Sequence, residues 1–106
     1  MAPKETYLAF DLGASSGRTV AGHFDGERIE LEEINRFGNG GVAVGDAMYW
    51  DVLRLYEEML AGLRLSVQKH GQAIAGLGVD TWGVDYALLD ASGELVGNPR
   101  CYRDAR

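Results

Sequence analysis

A chain of 106 residues with a net charge of −6 is one domain or part of one, and it offers no basic stripe to nucleic acid. Its single cysteine, Cys101, excludes an internal disulfide framework and fits a reducing compartment. The 15 glycines are about twice the usual share, and they gather where turns are expected.

The first residues, Met1 to Thr6, carry Lys4 and Glu5 and then meet only a short apolar run. No signal peptide or membrane span can be built from them, so a cytoplasmic location is expected. Tyr7–Leu12 is nearly continuous in apolar side chains and reads as a strand buried on both faces. Thr19–Phe24 reads as its hairpin partner. Between them lies a small polar turn, Gly13-Ala14-Ser15-Ser16-Gly17-Arg18. Gly13 and Gly17 let the backbone approach a ligand closely or take positive φ. Successive backbone N–H groups in such a turn form a concave anion site, to which Ser15 and Ser16 add hydroxyl donors. Asp11, at the strand end, can hold a hydrated Mg²⁺ against the same phosphates. The same residues also suit an ordinary hairpin turn whose Asp caps backbone groups, and this stretch by itself leaves both readings open. It is not a Walker A loop, since no Gly-Lys-Ser/Thr follows. Nor is it a dinucleotide fingerprint, since a strand follows rather than a helix.

Asp25-Gly26 is a two-residue hairpin signal leading into a third strand, Arg28–Arg36. Ile29 and Leu31 share one parity and Ile34 has the other, which predicts a bulge at Glu32-Glu33. His23 is expected to be surface or core filler. Phe37–Tyr49, with four glycines, reads as a long loop. Trp50-Asp51 then opens a helix with Asp51 as N-cap. Val52, Leu55, Tyr56, Met59, Leu63 and Val67 form its apolar face, opposite Arg54, Glu57, Glu58, Arg64 and Gln68. Lys69 and His70 suit the negative end of the helix dipole, and Gly71 stops the helix.

Ala73–Val79 is a further strand, followed by Val84–Leu89, the turn Asp90-Ala91-Ser92-Gly93 and a short run Leu95-Val96. The intervening Asp80-Thr81-Trp82-Gly83-Val84-Asp85 sets two carboxylates, a hydroxyl and an indole around a glycine. That mix suits a sugar, whose hydroxyls donate to carboxylates and whose C–H faces lie on an aromatic ring. It suits a β-turn with a packing Trp equally well. One long helix cannot cover both faces of so apolar a sheet, which favours an amino-terminal piece of a larger domain or half of an assembly.

Three antiparallel strands with an acid and a Gly/Ser turn after the first, then a helix and another strand, resemble the actin-like, ribonuclease-H-like ATPase fold of the α/β class. Five motifs narrow this: Asp11 to Arg18, Arg36 to Gly40, Trp50-Asp51-Val52, Gly78 to Asp85 and Tyr102 to Arg106. In this order and over nearly the whole chain they are similar to the FGGY carbohydrate kinase family, in its L-rhamnulose branch. Ala14 stands where many members carry Thr, and that branch has Ala. The resemblance implies that Gly13, Ala14, Ser15, Ser16, Gly17 and Arg18 form the ATP phosphate loop, with Asp11 beside Mg²⁺. It implies a sugar pocket lined by Thr81, Trp82, Gly83 and Asp85 and bordered by Arg103, Asp104 and Arg106. The implied reaction is transfer of the γ-phosphoryl group of MgATP to the 1-hydroxyl of L-rhamnulose in L-rhamnose catabolism. The implied partners are the sugar, MgATP and the remainder of the protein's own kinase chain, with no nucleic acid and no membrane. The family's general-base aspartate and adenosine pocket lie downstream. Residues 1–106 would thus be the amino-terminal part of the first kinase domain, without the second lobe and inactive alone. The rivals are another FGGY ketose or polyol kinase, for xylulose or fuculose, and a non-enzymatic actin-like protein that binds nucleotide or sugar.

Overall fold

The computed structural model describes residues 4–102. In chain order the strands are β1 (Glu5–Leu12), β2 (Ser16–Phe24), β3 (Ile29–Gly38), β4 (Val42–Val44) and β5 (Ala47–Tyr49). The helix α1 (Val52–His70), a single 3-10 turn (Gly71–Ala73) and β6 (Ile74–Asp80) follow. β1, β2 and β3 are an antiparallel meander, and β6 returns from the helix to lie parallel to β1. The sheet order is β3-β2-β1-β6. A helical crossover is what a parallel neighbour requires, and 19 residues of helix supply it.

Along β1 burial alternates strictly: Thr6, Leu8, Phe10 and Leu12 are buried, whereas Glu5, Tyr7 and Ala9 are exposed. The expectation of a strand buried on both faces is thus corrected to one buried face. The reason is that a single helix covers only one side. Register continues this inner face across the sheet through Leu12, Gly17 and Phe37, and through Leu8, Ala21 and Glu32. The bulge lies at Ile34 rather than at Glu32-Glu33, because Thr19 pairs with Asn35 and Val20 with Glu33. The expected long loop contains the β4–β5 hairpin, turned through Gly45 at φ +59°.

Asp51 caps α1 by accepting from the Arg54 N–H at 3.2 Å, and Gly71 ends the helix at φ +41°. The face that meets the sheet is Leu55, Gly62 and Ser66, with Met59 packed alongside. Tyr56 and Val67, expected on that face, are exposed. The small residues decide this: a side chain at Gly62 would collide with Thr19 of β2, so Gly62 marks the closest approach of helix to sheet. Beyond β6 the chain leaves the sheet. Val84–Leu89 and Leu95-Val96 are not strands of it; they meet only in a bridge between Leu89 and Leu95, around a turn closed by Asp90. Val84, Leu88 and Leu89 are each more than 60% exposed.

Candidate phosphate and sugar site

β1 and β6 point their C-terminal ends at the same edge of the molecule, and both predicted clusters start there. Only Gly13, Ala14 and Ser15 lie between β1 and β2, because β2 begins at Ser16. Gly13 N–H donates to Ser16 O, and Asn39, just past β3, uses both backbone and side chain on the turn. Its N–H donates to Ser15 O at 2.9 Å, and its Nδ2 donates to Gly13 O at 2.7 Å. The turn is thus tied down through its carbonyls. Neither Gly13 nor Gly17 takes positive φ. Gly17 is buried in β2 beneath the Phe37 ring, which occupies the space a Cβ would need. Ser15 is exposed and Ala14 and Ser16 are half-buried.

Asp11 sits on the outer face opposite Arg18, and the two form an ion pair at 3.0 Å. Arg18 also approaches Glu33 at 4.0 Å, and Glu33 pairs with Arg36. Register sets Asp80 of β6 beside Asp11 on the same face. Two carboxylates at adjacent strand ends form an oxygen donor set of the kind a hard divalent cation takes, so the residues present fit Mg²⁺. Asp80 in this position is legible only once β6 is known to run parallel to β1.

Thr81, Trp82, Gly83 and Asp85 follow β6 directly. Trp82 packs against the cluster of Leu12, Phe37 and Leu55, which couples this segment to the floor of the Gly/Ser turn. Asp85 Oδ2 accepts three hydrogen bonds, from Trp50 Nε1 at 2.6 Å, Trp82 Nε1 at 3.0 Å and Tyr102 N at 3.2 Å. The two indoles lie 4.2 Å apart, and Trp50 is 1% exposed. Asp85 therefore fixes both rings, a role the sequence pattern did not reveal. The segment before Tyr102 is stitched to β5 by Cys101 N–H to Met48 O at 2.9 Å, next to Trp50 N–H to Pro99 O. A groove of about 190 Å³ runs past Trp50, Thr81, Trp82, Asp85, Tyr86 and Pro99. Enclosed small-molecule sites are usually larger, at about 300 Å³ and up. A Cβ on Gly83 would meet nothing within 4 Å. Arg103, Asp104 and Arg106 lie outside the described residues.

His23, expected to be filler, belongs to a second polar cluster at the opposite end of the sheet. Its Nε2 is 3.0 Å from Glu32 Oε1, and His70 Nε2 is 2.8 Å from the same oxygen. Lys69 Nζ is 2.9 Å from Glu32 Oε2. Lys69 first, then His23 and His70, hold the Glu32 carboxyl down to about 2 from an ordinary 4.5. No sequence motif announces this cluster, since it joins β2, β3 and the end of α1.

No family model matches the chain. Among curated proteins, it is 48% identical over 101 residues to a rhamnulokinase of Bacteroides thetaiotaomicron, which covers 95% of this chain and 21% of that protein. A rhamnulokinase of Enterococcus faecalis is 46% identical over 104 residues, covering 97% and 21% respectively. Over nearly its whole length the chain is thus similar to rhamnulokinases. It spans about a fifth of the length of these curated relatives. Among solved structures, a gluconate kinase of Lactobacillus acidophilus superposes with a TM-score of 0.76 at 15% identity, over 95% of this chain and 20% of the other. A xylulose kinase of the same organism, in a ligand-bound structure, gives 0.75 at 15% identity over 94% and 20%. The fold of the chain is accordingly that of these sugar kinases, the actin-like, ribonuclease-H-like architecture expected from its motifs. No helix among the described residues is long and apolar enough to cross a membrane.

Proposed function

We propose that this chain carries the phosphate turn and one wall of the sugar site of an ATP-dependent kinase that phosphorylates L-rhamnulose at its 1-hydroxyl. The observation that carries the reading is the convergence of the Gly13–Ser16 turn, the Asp11–Asp80 pair and the Trp82–Asp85 segment on one end of the sheet. The relationship to rhamnulokinases supports the choice of sugar. Phosphoryl transfer demands mainly positioning and charge neutralisation. The Ala14 and Ser15 amides and the Ser15 and Ser16 hydroxyls are assigned to the ATP phosphates, with Arg18 at the rim. Asp11, helped by Asp80, would hold Mg²⁺, which when bound neutralises phosphate charge. The Thr81 hydroxyl and the second Asp85 oxygen would meet sugar hydroxyls, the Trp82 ring would cover a C–H face, and Gly83 would leave the approach open. Arg103, Asp104 and Arg106 would border the sugar. The general base, the adenosine pocket and the second lobe belong to the remainder of the kinase chain, and a cytoplasmic location goes with the reading.

The test is ADP release by the longer reading frame containing this chain, with MgATP and L-rhamnulose, L-fuculose and D-xylulose in parallel. Selective turnover of rhamnulose is expected, and the 106-residue chain alone should transfer no phosphate. Turnover of a different sugar would keep the mechanism and move the specificity. Nucleotide binding without any turnover would refute the kinase reading. In the same assay Asp11→Asn should lower turnover by roughly 100-fold or more while leaving sugar affinity nearly unchanged. Near-normal turnover would remove Asp11 from the metal role.

A further inference from the structure

We infer that His23, Glu32 and His70 form a binding site for a single borderline divalent transition ion, Zn²⁺ being the reference case. One ligand atom from each residue lies within 4.8 Å of the others, and each residue comes from a different element, β2, β3 and the last turn of α1. The two Nε2 atoms stand 3.0 and 2.8 Å from Glu32 Oε1. A tetrahedral shell with bonds of about 2.0 Å has ligand–ligand edges of about 3.3 Å, so both histidine–carboxylate edges are nearly in place. The imidazole rings meet edge to face at 4.5 Å between centroids, with the Nε2 of each within hydrogen-bond distance of the same carboxylate oxygen. Two imidazoles and one carboxylate are a donor set for Zn²⁺ and its neighbours, not for Mg²⁺ or Ca²⁺.

The outer partner of His23 fits the same role. His23 Nδ1 is 2.9 Å from Thr6 Oγ1 of β1, and Thr6 is 1% exposed. While Nε2–H donates to Glu32, the neutral ring accepts the Thr6 hydroxyl at Nδ1. When Nε2 turns to a metal, the proton moves to Nδ1 and the hydroxyl accepts instead. A hydroxyl can serve both tautomers, and a hydrogen bond to the non-ligating nitrogen is how metal-binding histidines are usually oriented. Lys69, on Glu32 Oε2, is the competing cation, and its side chain is 56% exposed and able to swing into solvent. The site lies at the Thr6 end of β1, five residues or about 17 Å from Asp11 at about 3.3 Å per residue. An ion there would clamp the C-terminal turn of α1 onto β2 and β3. Its role is structural, and it is independent of the phosphate site.

The experiment titrates ZnCl₂ into the chelator-treated protein in its full reading frame, reading bound stoichiometry by calorimetry and Tm by thermal denaturation. The wild type is expected to bind at micromolar metal and to gain thermal stability. His70→Gln and His23→Gln should each lose one bound ion, or weaken it roughly tenfold or more, together with the gain in Tm. Lys69→Gln, on an exposed position that does not endanger folding, should tighten binding by removing the competitor. Wild-type protein that binds no Zn²⁺, a stoichiometry and an affinity both unchanged by His70→Gln, or weaker binding in Lys69→Gln would each overturn the assignment.

Discussion

A methyl group on Gly17 would run into the ring of Phe37, which reaches across from β3 at the register pair Gly17–Phe37. In the sequence this glycine looks like part of a ligand loop, and in the fold its missing side chain is filled by the protein itself. Gly17→Ala should therefore destabilise the protein by about 1–3 kcal/mol, the usual cost of overpacking, measurable by urea unfolding. Unchanged stability would mean that the Phe37 ring moves aside freely. Glu32 makes a prediction in pH. Its folded value of about 2 lies below its ordinary 4.5, so its contribution is present above about pH 4.5 and is lost as pH falls toward 2. Glu32→Gln should lower the unfolding midpoint at neutral pH, and the gap to wild type should close across that acid window. A gap that persisted at pH 2 would assign the effect to something other than the carboxylate charge. Single residues were legible in the sequence where local rules govern them: the Asp51 cap and the Gly71 stop stand as read, whereas the Asp25-Gly26 turn is longer than the two residues expected, with Asp25 to Arg28 between β2 and β3. Asp85 reaching the Trp50 indole, and His23 meeting His70, were not legible, because their partners are 35 and 47 positions away and arrive only through folding.

At the scale of elements, the helix shows why hydrophobic periodicity alone mislocates a contact face. Leu, Tyr and Val dominate the pattern of α1, yet the sheet is met through Leu55, Gly62 and Ser66. Close packing selects small residues at the crossing point, and these carry no apolar signal. Ser66 closes its own hydroxyl onto Gly62 O at 2.8 Å, and Thr19 Oγ1 is buried without a hydrogen-bond partner among the described residues. Gly62→Ala sets two effects against each other. Alanine favours the helix by about 1 kcal/mol, but its Cβ would strike Thr19. The clash should win, with a net loss of about 1–3 kcal/mol. The companion change Thr19→Ala removes Cγ2 and the unsatisfied Oγ1 hydroxyl but keeps the Thr19 Cβ at 2.9 Å, so the double variant should recover part of the loss. Additive losses in that double-mutant cycle would show that helix and sheet are not in contact there. The β4–β5 hairpin escaped sequence reading for a different reason. Strands of 3 residues each, among glycines, are too short to establish a period of two.

The whole molecule is more extended than a closed domain of its size. Its radius of gyration is 16.4 Å, against about 13 Å for a compact chain of this length. Three apolar surfaces also stand open. Tyr7, Ile29 and Leu31 lie exposed on the outer sheet face, which no helix covers among the described residues. β6 stands at the sheet edge with Leu77 and Val79 more than half exposed. Leu53, Tyr56 and Val67 form an open stripe on α1. Contiguous apolar faces and an unpaired edge strand are interaction surfaces in a soluble protein, and here they match a chain that spans about a fifth of its curated relatives. The order of strands and helix was readable because each boundary has local punctuation, and the uncovered face was foreseen from the count of one helix. Which residues lie bare was not, since that depends on where α1 crosses. If this chain is part of a longer kinase, as proposed above, the expected consequence is that the isolated chain self-associates and enhances ANS fluorescence, whereas the longer protein does neither through these faces. Light scattering across a concentration series, with Leu77→Lys to charge the β6 edge, measures it. The lysine should shift the isolated chain toward monomer. An isolated chain that stays monomeric and ANS-silent would mean that the outer face and the open edge are stable in water, and that the remainder of the protein is not what covers them.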